Sequence, residues 1–184
     1  MEPITFITSN QGKADYLAKY LGVAVQRRAL DLDEVQSLDL KTIVEHKVRQ
    51  AYAQLQSPVL VDDVALEFTA LGRLPGPFIR FFLEEMWLQA ICDLVHGKSR
   101  KAIARCVLGY FDGTMLKLFE GKLDGEVAPA PAGEGGFGWD KIFIPAGYTV
   151  TRASLSEEDD RKTYLQIKPL AAVKEFLMQH SAPV

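Results

Sequence analysis

The sequence predicts an α/β fold, a mixed sheet with helices on its faces, and three observations carry that expectation. Short apolar runs rich in β-branched residues alternate along the chain with segments whose apolar residues recur at helical spacing. Asp112-Gly113 stands between two further apolar runs, a strong hairpin pattern that adds an antiparallel part to the sheet. The chain has 184 residues, 48% hydrophobic and 24% charged, which is ordinary globular composition for one domain. A single bilobal domain over residues 1–184 is expected.

Each element follows in order. Ile4–Thr8 reads as a short buried strand, and Ser9-Asn10-Gln11-Gly12-Lys13 as turn chemistry. A helix follows, with Tyr16, Leu17, Tyr20 and Leu21 as its apolar stripe and Gly22 as its stop. Ala24–Arg27 is a second strand, leading to the acidic segment Asp31–Gln36. Leu40, Ile43, Val44, Val48, Ala51 and Leu55 fall on one face of a helix. Val59–Val61 is a strand that ends in Asp62 and Asp63. Pro75-Gly76-Pro77 makes the next stretch a loop. Phe78–Val95 reads as one long helix, whose aromatics Phe78, Phe81, Phe82 and Trp87 could build either the core or a subunit contact, with the core favoured by base rate. Ala102–Phe111 and Met115–Phe119 are the hairpin strands. Ala130–Asp140 is a glycine-rich, flexible loop, Ile142–Ile144 a short strand. The acidic run Glu157–Asp160 leads into a last helix that carries Leu170, Val173, Phe176 and Leu177.

Composition also excludes classes. Lys+Arg number 21 against 24 Asp+Glu, a net charge of −3, so no overall basic footprint for nucleic acid exists. Cys92 and Cys106 form no CxxC pair and there is no histidine cluster, which argues against a disulfide framework or a zinc site. The N-terminus lacks the form of a signal peptide and no segment approaches about 18 uninterrupted apolar residues. A cytoplasmic protein with no membrane partner is expected.

Four constellations could carry chemistry. Thr8, Asn10 and Lys13 lie on a strand–loop–helix unit, where unpaired backbone N–H groups at the helix start suit an anion. A surface turn with a solvated lysine has the same sequence. Glu34, Asp62 and Asp63 are carboxylates without His or Cys nearby, a hard-oxygen set suited to magnesium. Adjacent acids leaving a strand point to opposite sides, so one could face a ligand while the other bonds lysine or backbone. The cations Lys47, Arg80, Lys162 and Lys168 are scattered, with Lys47 beside a buried helical stripe. Gly135–Asp140, "GGFGWD", carries Phe137, on which a planar base could stack, Asp140 as an acceptor for the substrate, and Trp139, which either contacts the ligand or anchors the loop into the core.

In this order the pieces resemble the non-canonical purine nucleoside triphosphate pyrophosphatases, the inosine/xanthosine triphosphate pyrophosphatase family. The resemblance covers nearly the whole chain. It rests on "TSNQGK" (Thr8–Lys13), "DLDEVQ" with Glu34, Lys47, "VDDVALEFTALGRLPGPFIRFF" (Val61–Phe82) and "FGWD" (Phe137–Asp140). It implies an elongated mixed sheet flanked by helices, two lobes with a central cleft, and a homodimer. The implied reaction is cleavage between the α and β phosphorus atoms to a monophosphate and pyrophosphate. By position, Lys13, Lys47, Arg80 and Lys162 match the family's cations at the triphosphate, with Thr8 and Asn10 assisting. Glu34, Asp62 and Asp63 match its magnesium-and-water carboxylates, with Mg2+ the implied cofactor. Phe137 matches its base-stacking aromatic.

The C-terminal motif departs from the family. Where K-N-x-x-S-H-R is usual, this chain reads Lys162-Thr163-Tyr164-Leu165-Gln166-Ile167-Lys168. Ile167 has no polar group, and Lys168 lacks the planar fork that reads a 6-oxo group. An active pyrophosphatase with relaxed or altered base choice is therefore expected, with Gln166 and Lys168 at the altered positions. Two alternatives stay open: a related enzyme for pyrimidine or modified nucleotides, and a nucleotide-binding protein with reduced turnover.

Overall fold

β1 (Ile4–Ile7) is buried at all four positions: parallel neighbours pair with both its edges, and helices on both faces are what leaves such a strand without an exposed side. It pairs with β2 (Val25–Arg28) from Ile4↔Val25 and with β3 (Val59–Phe68) from Thr5↔Val59. A computed structural model describes residues 4–180. Its seven-stranded sheet has the order β2-β1-β3-β5-β6-β7, with β5 at Lys101–Phe111, β6 at Leu116–Val127 and β7 at Phe143–Pro145. The mixed α/β class is as the sequence implies.

α1 (Gln11–Leu21) and α2 (Leu40–Leu55) follow the sequence reading closely. The Asn10 side chain accepts from Lys13 N at 3.1 Å to cap α1, and Gly22 ends it at φ 71°, a left-handed conformation that costs glycine least. α2 buries Leu40, Ile43, Val44, Val48 and Ala51, the spacing that predicted it.

Several elements differ from their sequence outlines. β3 does not stop at Asp62 and Asp63 but runs on to Phe68. Residues beyond the acids are fully buried (Ala65, Leu66, Phe68), and Glu67 is held by Arg73 at 3.3 Å and Arg105 at 3.0 Å. Pro75–Gly76 forms a two-residue strand, β4, antiparallel to β3. The expected long helix is two, α3 (Ile79–Glu85) and α4 (Leu88–Asp93), parted by extended residues Met86 and Trp87. Its apolar residues surround the axis and leave no single stripe to bury. Phe81 and Trp87 accordingly face solvent, Trp87 at 87% exposure, against their assignment to the core. The last helix is also two, α5 (Glu157–Ile167) and α6 (Leu170–His180), because Pro169 holds Lys168 extended.

β6 is twice as long as expected, and the reason is instructive. Its inward positions are Phe119, Gly121, Leu123, Gly125 and Val127, so two glycines mask the alternation of period two. A Cβ on Gly121 would lie 2.3 Å from the Ile167 carbonyl oxygen, and one on Gly125 2.3 Å from that of Ile144. Both glycines admit a neighbouring backbone.

The chain forms two compact units. Unit 1 comprises the chain through Asp63, Val107–Glu120 and the part from Pro169 on; unit 2 comprises Val64–Cys106 and Gly121–Lys168. Unit 1 has a core cluster of Ile7, Val48, Ala51, Val59, Val61 and Phe111. The core of unit 2 includes Leu66, Phe68, Ile91, Cys92, Leu123, Trp139 and Phe143.

Burial pushes the Cys92 thiol up from 9.0 to about 11. The folded state thus holds this proton more tightly than the unfolded chain, a contribution complete below about pH 9 and lost as pH rises toward 11. Urea unfolding from pH 8 to 11 should show a stability loss over that window that is smaller in Cys92→Ala. Identical slopes in the two proteins would contradict the assignment.

Candidate active site

In unit 1, the end of β1, the start of α1, the segment between β2 and α2, the middle of α2 and the middle of β3 carry seven of the predicted residues. Thr8 Oγ1 accepts from Asn10 N at 3.1 Å, and the Asn10 carbonyl oxygen caps Lys13 N. The Asn10 side chain therefore presents its amide, and α1 its first backbone N–H groups, at the end of β1.

Asp62 and Asp63 are consecutive in a strand and so lie on opposite faces of the sheet. Asp63 continues the face of Val59 and Val61, on which Val48 and Ala51 of α2 pack. From that helix Lys47 extends its ammonium to Asp63 at 2.7 Å and to Glu34 at 2.8 Å, its side chain only 13% exposed. Asp62, on the other face, meets Lys13 of α1 at 3.6 Å. Each acid is thus matched by a lysine from the helix covering its face, which is why β3 tolerates both. Burial alone would lower the Lys47 pKa, but Asp63 and Glu34 outweigh it and hold the ammonium above its ordinary range.

The three-carboxylate cluster expected for a metal is not formed. Among the described residues no three His, Cys, Asp or Glu side chains group together as metal ligands. Glu34 and Asp63, gathered around one ammonium, are two hard-oxygen donors on one side, whereas Asp62 faces away. Magnesium is commonly held by one or two carboxylates together with substrate phosphates, and Glu34 with Asp63 fits that use.

The other predicted residues lie in unit 2. Arg80, the second residue of α3, is exposed, contacts Glu84 at 3.2 Å and lies over the Phe81 ring. Lys162 is exposed beside Glu158 and Asp159. Gln166 is exposed, but Ile167 is buried in the core and Lys168 is 7% exposed. Phe137 stands out of the loop at 82% exposure. Trp139 instead packs edge-on against Phe143, centroids 5.5 Å apart, and Asp140 is buried with Arg152 at 2.8 Å and Phe137 N at 2.8 Å. Both were assigned to substrate contact, but their side chains hold the loop to unit 2.

The loop differs from the flexible segment expected. Gly135 N donates to Ala153 O at 3.0 Å, Thr151 Oγ1 to Ala132 O at 2.8 Å, and Ala132 N to Lys141 O at 2.9 Å. No sequence pattern marks Arg152, which is 6% exposed and joined to Asp140, Asp160 and Thr163. The acidic run was visible as its partner only in retrospect, since the pairing is made across a turn.

A family model described as the Ham1 family matches residues 4–176. An inosine triphosphate pyrophosphatase of Trypanosoma cruzi is 39% identical over 176 residues, covering 93% of this chain and 90% of that protein. A dITP/XTP pyrophosphatase of Thermococcus kodakarensis is 35% identical over 163 residues, covering 86% and 88%. Among solved structures, a HAM1 protein from Coxiella burnetii matches with TM-score 0.85 at 22% identity, covering 97% of this chain and all of that one, a likeness of fold. No helix among the described residues is long and apolar enough to cross a membrane.

Proposed function

The chain belongs to the Ham1 family, and from that membership we propose that it is a nucleoside triphosphate pyrophosphatase acting on inosine- and xanthosine-type triphosphates. The observation that carries the reading is the Lys47 ammonium seated between Glu34 and Asp63 at 2.8 and 2.7 Å, next in the strand to the Asp62–Lys13 pair.

Water attacks the α-phosphorus, the bond from that phosphorus to the α–β bridging oxygen breaks, and pyrophosphate leaves. Asp63 orients the water and takes its proton, while Glu34 supports it. A triphosphate brings about four negative charges. Lys13 and Lys47 turn from their carboxylates to phosphate oxygens, joined by the α1 amides and Asn10, and this exchange releases Glu34 and Asp63 toward a cation. Bound magnesium would neutralise charge on the leaving pyrophosphate, and Glu34 and Asp63 would hold it. Phe137 is the ring proposed to stack on the base, and Arg80 and Lys162 are the further cations proposed for the phosphates.

Base choice is proposed to be relaxed. Both oxygens of Asp140 are engaged, by Phe137 N and by Arg152, Ile167 is in the core and Lys168 is buried, so apart from Lys162, assigned to the phosphates, Phe137 and Gln166 are the exposed side chains of these motifs. Stacking discriminates less than an edge read by hydrogen bonds. We further propose a cytoplasmic homodimer, the exposed Phe81 and Trp87 offering apolar surface to a second copy.

The test is a panel of inosine, xanthosine, adenosine, guanosine and pyrimidine triphosphates with magnesium, reading pyrophosphate and monophosphate. Equal amounts of the two products are expected, and Asp63→Asn should lower turnover by about a hundredfold or more with nucleotide still bound. Release of single phosphates would overturn the reaction assignment. A preference of about a thousandfold or more for inosine and xanthosine triphosphates would overturn relaxed base choice alone.

A further inference from the structure

Arg152 is a buried cation of unit 2 that the proposed reaction does not use. Its guanidinium is spent on three directions at once. Nε donates to Thr163 Oγ1 at 3.1 Å, Nη1 to Asp140 Oδ1 at 2.8 Å, and Nη2 to Asp160 Oδ1. Thr163 Oγ1 in turn donates to the Asp160 carbonyl at 2.9 Å. One side chain therefore ties the turn at Arg152–Ser154 to α5 and to the turn at Gly138–Lys141.

The second oxygen of Asp140 carries the connection outward. Oδ2 accepts the backbone N–H of Phe137 at 2.8 Å. Gly136, at φ 73°, sits so close that a Cβ there would fall 2.6 Å from the Asp140 Cβ. The chain from Arg152 through Asp140 ends on the main chain of the one loop residue whose ring is almost fully outside, at 82% exposure. A buried ion pair is a poor source of stability compared with apolar packing, but it fixes direction. Only Arg, with its planar fork, serves three acceptors in this geometry; Lys offers a point charge.

We infer that Arg152 is a positioning residue that sets the Phe137 ring for stacking, acting through Asp140 and without touching the substrate. The inference rests on the reading of Phe137 as the base-stacking ring and adds to it the group that holds the ring in place. Stacking on a preset ring costs less ordering on binding than stacking on one that must first be fixed. Loosening the clamp therefore weakens binding of the base and leaves the phosphate chemistry of unit 1 alone.

The experiment compares a nucleoside triphosphate with ribose 5-triphosphate, which has the same tail and no base, in Arg152→Lys, Asp160→Ala and Phe137→Ala. Arg152→Lys and Asp160→Ala should raise KM for the nucleotide by roughly threefold to tenfold. Turnover number should stay within about twofold and the base-free substrate should be unaffected, because neither variant touches the phosphate groups. Amide exchange at Phe137 should accelerate in both. Unchanged nucleotide KM in folded variants would overturn the inference, as would equal losses on both substrates, which mark general loosening. Should Arg152→Lys fail to fold, Asp160→Ala decides, its carboxylate being 41% exposed. A normal nucleotide KM in Phe137→Ala would instead overturn the stacking role itself, whatever the other two variants do.

Discussion

Lys47→Met is expected to lower kcat/KM by about 10² to 10³-fold, the range seen when one preorganised donor to a developing charge is removed. The physical cause is double. The variant loses a cation that the phosphates would take up, and it leaves Asp63 and Glu34 facing each other without the ammonium that now lies 2.7 and 2.8 Å from them. Like charges that close push one carboxyl toward its neutral form, which disarms the water-orienting acid. Activity within about threefold of the parent would remove Lys47 from the machinery.

Phe143→Ala is expected to destabilise the protein by about 3 to 5 kcal/mol, the usual cost of emptying a fully buried aromatic site. Phe143 is 0% exposed, lies against Gly125, where a Cβ would meet its ring at 2.6 Å, and receives the edge of Trp139. Gly125 has no side chain with which to refill the space. Thermal unfolding should fall by roughly 6 to 20 °C for a chain of this size. Trp139 is two residues from Phe137, so nucleotide KM should rise even below the melting transition. A loss under about 1 kcal/mol would mean the site collapses and refills.

Much of unit 1 was legible from local rules. α2 runs over Leu40–Leu55, the span that its apolar spacing marked, and Asn10 and Gly22 bracket α1 as cap chemistry requires. The juxtaposition of Lys47 with Asp63 was hinted by a lysine set beside a buried stripe. What was not legible depended on partners far along the chain. Asp62 and Asp63 read as a strand end because nothing local shows the lysines that neutralise them. Gly121 and Gly125 hid the alternation of β6, since the backbones they admit come from Ile167 and Ile144. The loop before Trp139 read as flexible because its glycines are visible in sequence and its anchor, Arg152, is not recognisable as one.

The sequence by itself determined the α/β class, the helices with regular apolar spacing, and the family to which the chain belongs. Periodicity, caps and turn residues act within a few neighbours, so one strand of letters suffices to read them. Only the tertiary structure decided which face of β3 each acid occupies, which lysine answers it, and that Phe137 is held outward while Trp139 is drawn in. Those outcomes come from pairing charges and packing rings over long sequence separations, where the free energy belongs to the contact and not to either residue.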